Sequence, residues 1–169
     1  MTLLAYLAGP DVFLPNALEI GAAKKSICQA HGFEGLFPLD DAGIEVPADG
    51  HDIFRGCVAM MERADLVIAN MTPFRGLSMD VGTAVEIGFM FARGKPVFGY
   101  TNVAADYADR IPPDGMSVEP YGYFDNLMCD GTVAASGGTV VRTDVAEADR
   151  FTDLRGFEEA VRQVARLLA

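Results

Sequence analysis

The sequence has few of the residues that build disulfide frameworks or metal sites. Its three cysteines, Cys28, Cys57 and Cys129, form no Cys-x-x-Cys pair. An odd number cannot all pair within one chain, so a disulfide framework and a structural zinc site are both disfavoured. The two histidines, His31 and His51, lack the helical spacing of a metal-binding pair. We therefore expect no metal and a reducing, cytoplasmic setting.

Basic residues and long apolar runs are also scarce. Lysine and arginine number 13 against 24 aspartates and glutamates, giving a formal net charge of −11. Contacts to a nucleic-acid backbone need clustered basic residues, so polymeric nucleic acid is not an expected partner. No apolar run approaches the roughly 20 residues that a membrane span requires. We expect a soluble protein that does not associate with membranes.

The length and the periodicity of the sequence favour one α/β domain over residues 1–169, half of which are apolar. The predicted strands are residues 3–8, 33–39, 64–70 and 96–100. The predicted helices are residues 16–31, 53–63, 80–92 and 154–168. Residues 40–50, 71–79 and 132–152 show no period and are expected to be irregular. This alternation predicts a doubly wound parallel sheet with right-handed crossovers and helices on both faces.

In such folds the functional site lies at the carboxyl ends of the strands. The segments expected there are residues 9–11, 70–80 and 101–102, and two of the three carry carboxylates. The glycines do not have the GxGxxG or GxxxxGK[ST] spacing that cradles phosphates. We therefore expect neither a dinucleotide nor any other cofactor.

Glu86 is the acidic residue with the most unusual setting. Its neighbours on the predicted helix are apolar: Val85, Ile87, Phe89 and Met90. A carboxylate buried among them needs a partner or a chemical role. Periodicity alone favours the alternative, in which Glu86 faces solvent on an amphipathic helix. Asp80, six residues earlier, points to another side of the helix unless the capping residue curls back.

Asp65 and Tyr6 each have an ordinary structural interpretation. An acid that opens a central strand, as Asp65 does, is commonly a turn residue that binds backbone amides. A tyrosine within a buried strand, such as Tyr6, is usually a core aromatic whose hydroxyl finds one partner. Taken alone, neither residue indicates catalysis.

Five segments occur in an informative order: Tyr6-Leu7-Ala8-Gly9-Pro10, Ala64-Asp65-Leu66-Val67-Ile68-Ala69-Asn70, Asp80-Val81-Gly82-Thr83-Ala84-Val85-Glu86-Ile87-Gly88, Gly94-Lys95-Pro96-Val97 and Asn126-Leu127-Met128. In this order the sequence resembles the nucleoside 2-deoxyribosyltransferase family, roughly over residues 4 to 130. The resemblance implies a flavodoxin-like fold and an enzyme that acts on a deoxynucleoside and a free nucleobase.

The resemblance also implies a role for each candidate residue. Glu86 is expected to attack the anomeric carbon as the base departs, which gives a covalent deoxyribosyl ester that a second base opens. Tyr6 is expected to hydrogen-bond this carboxylate. Asp65 is expected to protonate the departing base, a role for which burial would have to raise its pKa. Asp80 is expected to bind the sugar hydroxyls, and Gly9 to line the substrate site.

The resemblance further implies that Asn126 and Met128 reach into the site of a neighbouring subunit. The active unit would then be a homo-oligomer, at least a dimer, with shared active sites. No motif assigns a role to the segment after Gly131, and the chain gives no code for the choice of base.

Two alternatives remain open at this stage. An N-glycosidase would hydrolyse deoxynucleosides or deoxynucleoside 5′-monophosphates with the same glutamate. Asp80 and Asp11 argue against the phosphorylated substrate, because their carboxylates would repel the phosphate dianion. A nucleotide-sensing or receiver-like module is the non-enzymatic alternative. A receiver needs a lysine at the end of its last strand, whereas Lys95 precedes its strand.

Overall fold

The computed structural model describes residues 2–40 and 49–167, which form a five-stranded parallel sheet. The strands are β1 (Leu3–Tyr6), β2 (Phe33–Leu36), β3 (Leu66–Asn70), β4 (Val97–Thr101) and β5 (Val140–Arg142). Their spatial order is β2-β1-β3-β4-β5, and every neighbouring pair is parallel. This order confirms the doubly wound sheet. From β1 the chain adds β2 on one side, and from β3 it adds β4 and β5 on the other, so the direction of winding reverses between β1 and β3. A crevice at the carboxyl ends of these two strands is where such folds bind ligands.

Helices cover both faces of the sheet. They are α1 (Ala17–Ala30), α2 (Gly50–Arg63), α3 (Val81–Ala92), the single turn α4 (Tyr107–Arg110), α5 (Leu127–Ala135) and α6 (Arg155–Leu167). The first and last helices pack on one face, and α2, α3 and α5 pack on the other. Within residues 2–40 and 49–167, no helix is long and apolar enough to cross a membrane.

Capping side chains fix where two of these helices begin. The Asp80 side chain accepts a hydrogen bond from the Thr83 amide at 3.0 Å, so α3 starts where the sequence predicted. Asp49 accepts from the amides of His51 and Asp52, which starts α2 three residues before the predicted Ile53. The predicted loop over residues 40–50 falls largely on residues 41–48, which lie outside the described residues. The same is true of residue 168, the last residue of the predicted helix 154–168.

The prediction that residues 132–152 are irregular is wrong. They contain the end of α5, the strand β5 and a 3₁₀ turn at Glu147–Asp149. The edge strand β5 pairs with β4 through Gly99 and Val140, and its three residues are only half-buried. A strand this short, without an alternating buried face, gives too few positions for periodicity to reveal it.

The alternation of side chains along β1 directs Tyr6 towards the face that carries α3. Tyr6 and Ala8 belong to the cluster packed under α2, α3 and α5, whereas Ala5 and Leu7 belong to the cluster under α1 and α6. Successive residues of a strand point to opposite faces, so the register of β1 decides this orientation. The tyrosine is thereby buried beneath the helix that bears Glu86.

A buried ion pair lies at the carboxyl end of β1. The Lys24 ammonium, on α1, contacts Asp11 Oδ2 at 2.7 Å, and both side chains are 1% exposed. Asn70, at the end of β3, donates to the other Asp11 oxygen at 3.1 Å. The ammonium also lies about 5 Å from the ring centroids of Tyr100 and Phe157. These contacts hold the ends of β1 and β3 together.

Gly9 is required by the close approach of this ion pair. Its φ of 151° lies in a region that side chains disfavour, and a Cβ atom there would stand 2.5 Å from Asp11 Oδ2. The same Cβ would be 2.7 Å from the Cβ of Asn70. Any larger residue would push the Asp11 carboxylate away from Lys24.

Replacing Lys24 with methionine should destabilise the protein strongly, because the Asp11 carboxylate would stay buried without a counterion. We expect a loss of about 3–5 kcal/mol in the free energy of unfolding, measured by urea denaturation. Lys25→Met is the matched control, since the Lys25–Asp40 pair is partly exposed and should contribute under about 1 kcal/mol. Equal losses in the two variants would contradict the importance of the buried pair.

Candidate active site

A short hydrogen bond joins β1 to α3 at the centre of the candidate site. The Tyr6 hydroxyl donates to Glu86 Oε1 at 2.5 Å. Tyr6 is completely buried, and Glu86 is half-buried on the second turn of α3. Bonds from a hydroxyl to an ionised carboxylate are typically this short and stronger than neutral ones. Glu86 therefore does not face solvent freely, as periodicity alone had favoured.

Burial sets the ionisation of this pair. The pKa of Glu86 is raised to about 7: loss of solvent raises it most, the hydrogen bond from Tyr6 lowers it, and the charge of Asp80 raises it. Burial also raises the pKa of Tyr6, so its hydroxyl keeps its proton and acts as the donor. Glu86 thus changes charge near neutral pH, where a carboxylate nucleophile or base is useful.

Asp80 lies close enough to Glu86 for their charges to interact. Its carboxylate curls over the first turn of α3 to accept from the amide and the hydroxyl of Thr83. Because the capping side chain folds back over the helix in this way, Asp80 and Glu86 can act at one site although they are six positions apart. Asp80 also lines an open cavity of about 540 Å³, together with residues 74–79, Val81 and Tyr107.

Asp65 is not brought into this arrangement. It lies on the amino-terminal side of β3, is exposed, and accepts a hydrogen bond from the Leu4 amide at 2.8 Å. Its own amide donates to the carbonyl of Leu4. The acid role implied by the resemblance required a buried carboxyl, whereas this carboxyl is exposed and bound to a main-chain amide. Asp65 is the strand-opening turn residue of the alternative interpretation.

The remaining candidates lie around the same edge of the sheet and make no hydrogen bond to Glu86. Gly9 lies three residues after the end of β1, against Asp11. Asn126 caps α5, its side-chain oxygen accepting from the Met128 amide at 3.0 Å, and the Met128 side chain is 69% exposed. Since α5 packs against α3, these residues flank the helix that bears Glu86.

Two features of the site carry no recognisable signal in the sequence. The thiol of Cys57, on α2, interacts with the Tyr6 hydroxyl, and burial raises the pKa of this thiol. Asp11 is withdrawn into its ion pair with Lys24. Both arrangements depend on contacts between distant segments. No group of three or more His, Cys, Asp or Glu residues in the described part of the chain is placed to hold a metal ion.

Comparison with known proteins identifies the family. The family model described as nucleoside 2-deoxyribosyltransferase matches residues 5–128, a span that includes Tyr6, Asp80 and Glu86. The chain belongs to the nucleoside 2-deoxyribosyltransferase family. This membership confirms the resemblance read from the order of the five sequence segments, and it makes the protein a deoxyribosyltransferase-type enzyme.

Individual proteins are similar to this chain over nearly its whole length. An uncharacterized protein from Schizosaccharomyces pombe is 31% identical, covering 96% of this chain and 89% of its own. The structure of a 2-desoxiribosyltransferase from Leishmania mexicana is 27% identical with a TM-score of 0.71, covering 95% of this chain and 97% of its own. A CMP N-glycosidase from Clostridium botulinum, 16% identical with a TM-score of 0.53 and 98% and 99% coverage, shares the fold.

Replacing Tyr6 with phenylalanine should shift the pH dependence of activity upwards. The hydrogen bond from Tyr6 lowers the pKa of Glu86 from what burial alone would give, so its loss raises that pKa above about 7. Activity that needs the carboxylate is lost as the pH falls through this pKa, and the acidic limb of kcat/KM should move to higher pH. At neutral pH we expect a loss of about 10- to 100-fold.

The measurement is kcat/KM from pH 5 to 9 for the wild type, Tyr6→Phe and the control Tyr121→Phe, whose tyrosine is exposed. An acidic limb at the same pH in all three proteins would show that Tyr6 does not tune Glu86.

Proposed function

We propose that this protein transfers a 2-deoxyribosyl group from a deoxynucleoside to a free nucleobase, with Glu86 as the nucleophile. The observation that carries the proposal is the hydrogen bond from the buried Tyr6 to the half-buried Glu86. A carboxylate held in this way, in a member of this family, is equipped for covalent catalysis at an anomeric carbon.

The first step forms an ester and releases a base. An oxygen of Glu86 bonds to the anomeric carbon while the bond from that carbon to the base nitrogen breaks. The electron pair of the broken bond leaves with the base, which takes up a proton from solvent water; the acceptor base returns one to solvent in the second step. Tyr6 binds Oε1, and Oε2 accepts no hydrogen bond from the described residues. Oε2 is therefore the attacking atom in this proposal.

In the second step a nitrogen of the acceptor base attacks the same carbon. The ester bond breaks, the electron pair returns to Glu86, and the acceptor base loses a proton. Two inversions give net retention at the anomeric carbon, as in retaining glycosidases. Asp80 binds the sugar hydroxyls in both steps; this role is supported by its position at the start of α3 and by the interaction of its charge with that of Glu86.

We also propose that a second copy of the chain completes the site. Beside Glu86, Val81 and Val85 lie one turn apart on α3 and are 78% and 63% exposed. Leu127 and Met128 add exposed apolar surface at the start of the neighbouring α5. Adjacent apolar side chains of this kind are typical of an interface. The proposed unit is at least a dimer in which Asn126 and Met128 reach the partner's substrate.

A hydrolase acting on deoxynucleosides or their 5′-monophosphates is the second candidate, and the position of Asp11 strengthens it. The sequence suggested that Asp11 would repel a phosphate. Its carboxylate is instead buried against Lys24 and does not face the site. Asp80 remains as the carboxylate that disfavours a phosphorylated substrate.

Base exchange tests the proposed activity directly. The protein is incubated with deoxyinosine, with and without adenine, and all nucleosides and bases are separated by chromatography. We expect deoxyadenosine only when adenine is present. Glu86→Gln should lower its formation by a factor on the order of 10⁴ or more. Glu62→Gln, which changes an exposed glutamate paired with Arg93, should leave it unchanged.

The other outcomes separate the alternatives. If hypoxanthine accumulates at the same rate with and without adenine, the protein is a hydrolase rather than a transferase. The same assay with deoxynucleoside 5′-monophosphates would then identify the preferred substrate. Full exchange by Glu86→Gln would refute the assignment of the nucleophile.

Mixing two inactive variants tests whether sites are shared. Glu86→Gln removes the nucleophile of a subunit's own site, and Asn126→Ala removes the residue proposed to reach the partner's site. In a hybrid dimer one of the two sites carries neither change. After the subunits exchange, a mixture should therefore regain up to about a quarter of wild-type activity. Activity that never exceeds that of the separate variants would contradict shared sites.

A further inference from the structure

Arg110 bridges the two loops that lead to Asp80 and Asn126. Its Nη1 donates to the carbonyl of Leu77 at 2.6 Å, and its Nη2 donates to the carbonyl of Phe124. Leu77 precedes Asp80 by three residues, and Phe124 precedes Asn126 by two. One guanidinium group therefore fixes the path of both loops, because its planar fork can bind two acceptors at once.

Asp125 makes a second bridge between the same loops. It is 1% exposed, and its Oδ2 accepts from the Met79 amide at 2.7 Å. Its Oδ1 accepts from the Asn126 amide at 2.8 Å. Its charge also favours the charged form of Arg110, whose pKa burial lowers. A buried carboxylate is stabilised by such amide donors and by a nearby cation.

The loop before Asp80 is held at its start by aromatic contacts, since Phe74 stacks on Phe13 and meets Phe151 edge-on. Residues 75–77 are exposed, and Arg75 has a φ of 54°. The bond from the Phe74 amide to the Ser78 carbonyl closes the turn. The contacts from Arg110 and Asp125 are what tie this turn to the rest of the fold on the side facing Asn126.

We infer that Arg110 and Asp125 are positioning residues that hold Asp80 in place to bind the sugar. Every bond they make to these loops involves a main-chain atom within three residues of Asp80 or Asn126, and none touches Tyr6 or Glu86. They therefore govern recognition of the sugar hydroxyl rather than the reactivity of the nucleophile. This inference rests on the proposed function, in which Asp80 binds the sugar.

Arg110→Met tests the inference through two substrates, deoxyinosine and 2′,3′-dideoxyinosine, which lacks the 3′-hydroxyl. We expect KM for deoxyinosine to rise about tenfold with kcat changed less than about threefold. The preference for deoxyinosine over the dideoxy substrate should fall towards the value measured for Asp80→Asn. A variant with merely fewer folded molecules would instead lose kcat equally on both substrates and keep its preference.

Arg142→Met is the matched control. Like Arg110, Arg142 makes two hydrogen bonds, here to the Asp106 carboxylate and the Gly122 carbonyl, and it makes none to Leu77 or Phe124. Its preference between the two substrates should match the wild type. If Arg110→Met does not fold, Arg110→Lys and Asp125→Asn carry the same measurement. The lysine keeps the charge but not the planar fork that binds both carbonyls, and the asparagine keeps the size of the side chain but has one acceptor oxygen in place of two.

An unchanged preference and KM in folded Arg110 and Asp125 variants, while Asp80→Asn changes both, would overturn the inference. A wild type that turns over neither substrate would instead refute the proposed function. In that case the inference is tested by measuring the Kd of deoxyinosine for the wild type and for Arg110→Met by calorimetry. That Kd must rise about tenfold in Arg110→Met, and an equal Kd in the variant and the wild type overturns it.

Discussion

A hydrogen bond between the Tyr6 hydroxyl, on β1, and the Glu86 carboxylate, on α3, is the contact around which the site is organised. It forms only because β1 directs Tyr6 to the face covered by α3 and because Glu86 is held half-buried there. Burial raises the pKa of Glu86 to about 7 while Tyr6 opposes that rise. The balance gives a carboxylate available near neutral pH yet less solvated than one on the surface, which favours nucleophilic attack.

Two buried or half-buried aspartates near this contact have opposite electrostatic effects on the site. Asp11 is neutralised by Lys24 and fixes the ends of β1 and β3, so its charge does not reach a ligand. Asp80 has no cationic partner among the described residues and instead caps α3, where it raises the pKa of Glu86. In the proposed site, one aspartate therefore faces the substrate rather than the two that the sequence places at this edge.

In the proposed mechanism, transfer and hydrolysis both form the ester between Glu86 and the deoxyribosyl group. They differ in whether a free base or water then opens this ester. Exclusion of water decides this partition, because water competes with the acceptor base for the same carbon. In the proposed dimer, the exposed apolar side chains of α3 and α5 become covered beside Glu86. Assembly would then do more than complete the contacts to the substrate: it would protect the ester until a base arrives.

Local patterns in the sequence were enough to predict the parallel sheet, the positions of its first four strands along the chain, the start of α3 at Asp80 and Glu86 as the notable acid. These follow from local periodicity, capping chemistry and the order of short motifs. The exposure of Asp65, the burial of Asp11, the strand β5 and the two bridges made by Arg110 and Asp125 became apparent only in the folded chain. Burial and ion pairing depend on segments that are distant in sequence, such as those of Tyr6 and Glu86, which are 80 residues apart. No local pattern encodes which of several carboxylates meets a cation, an amide or a tyrosine.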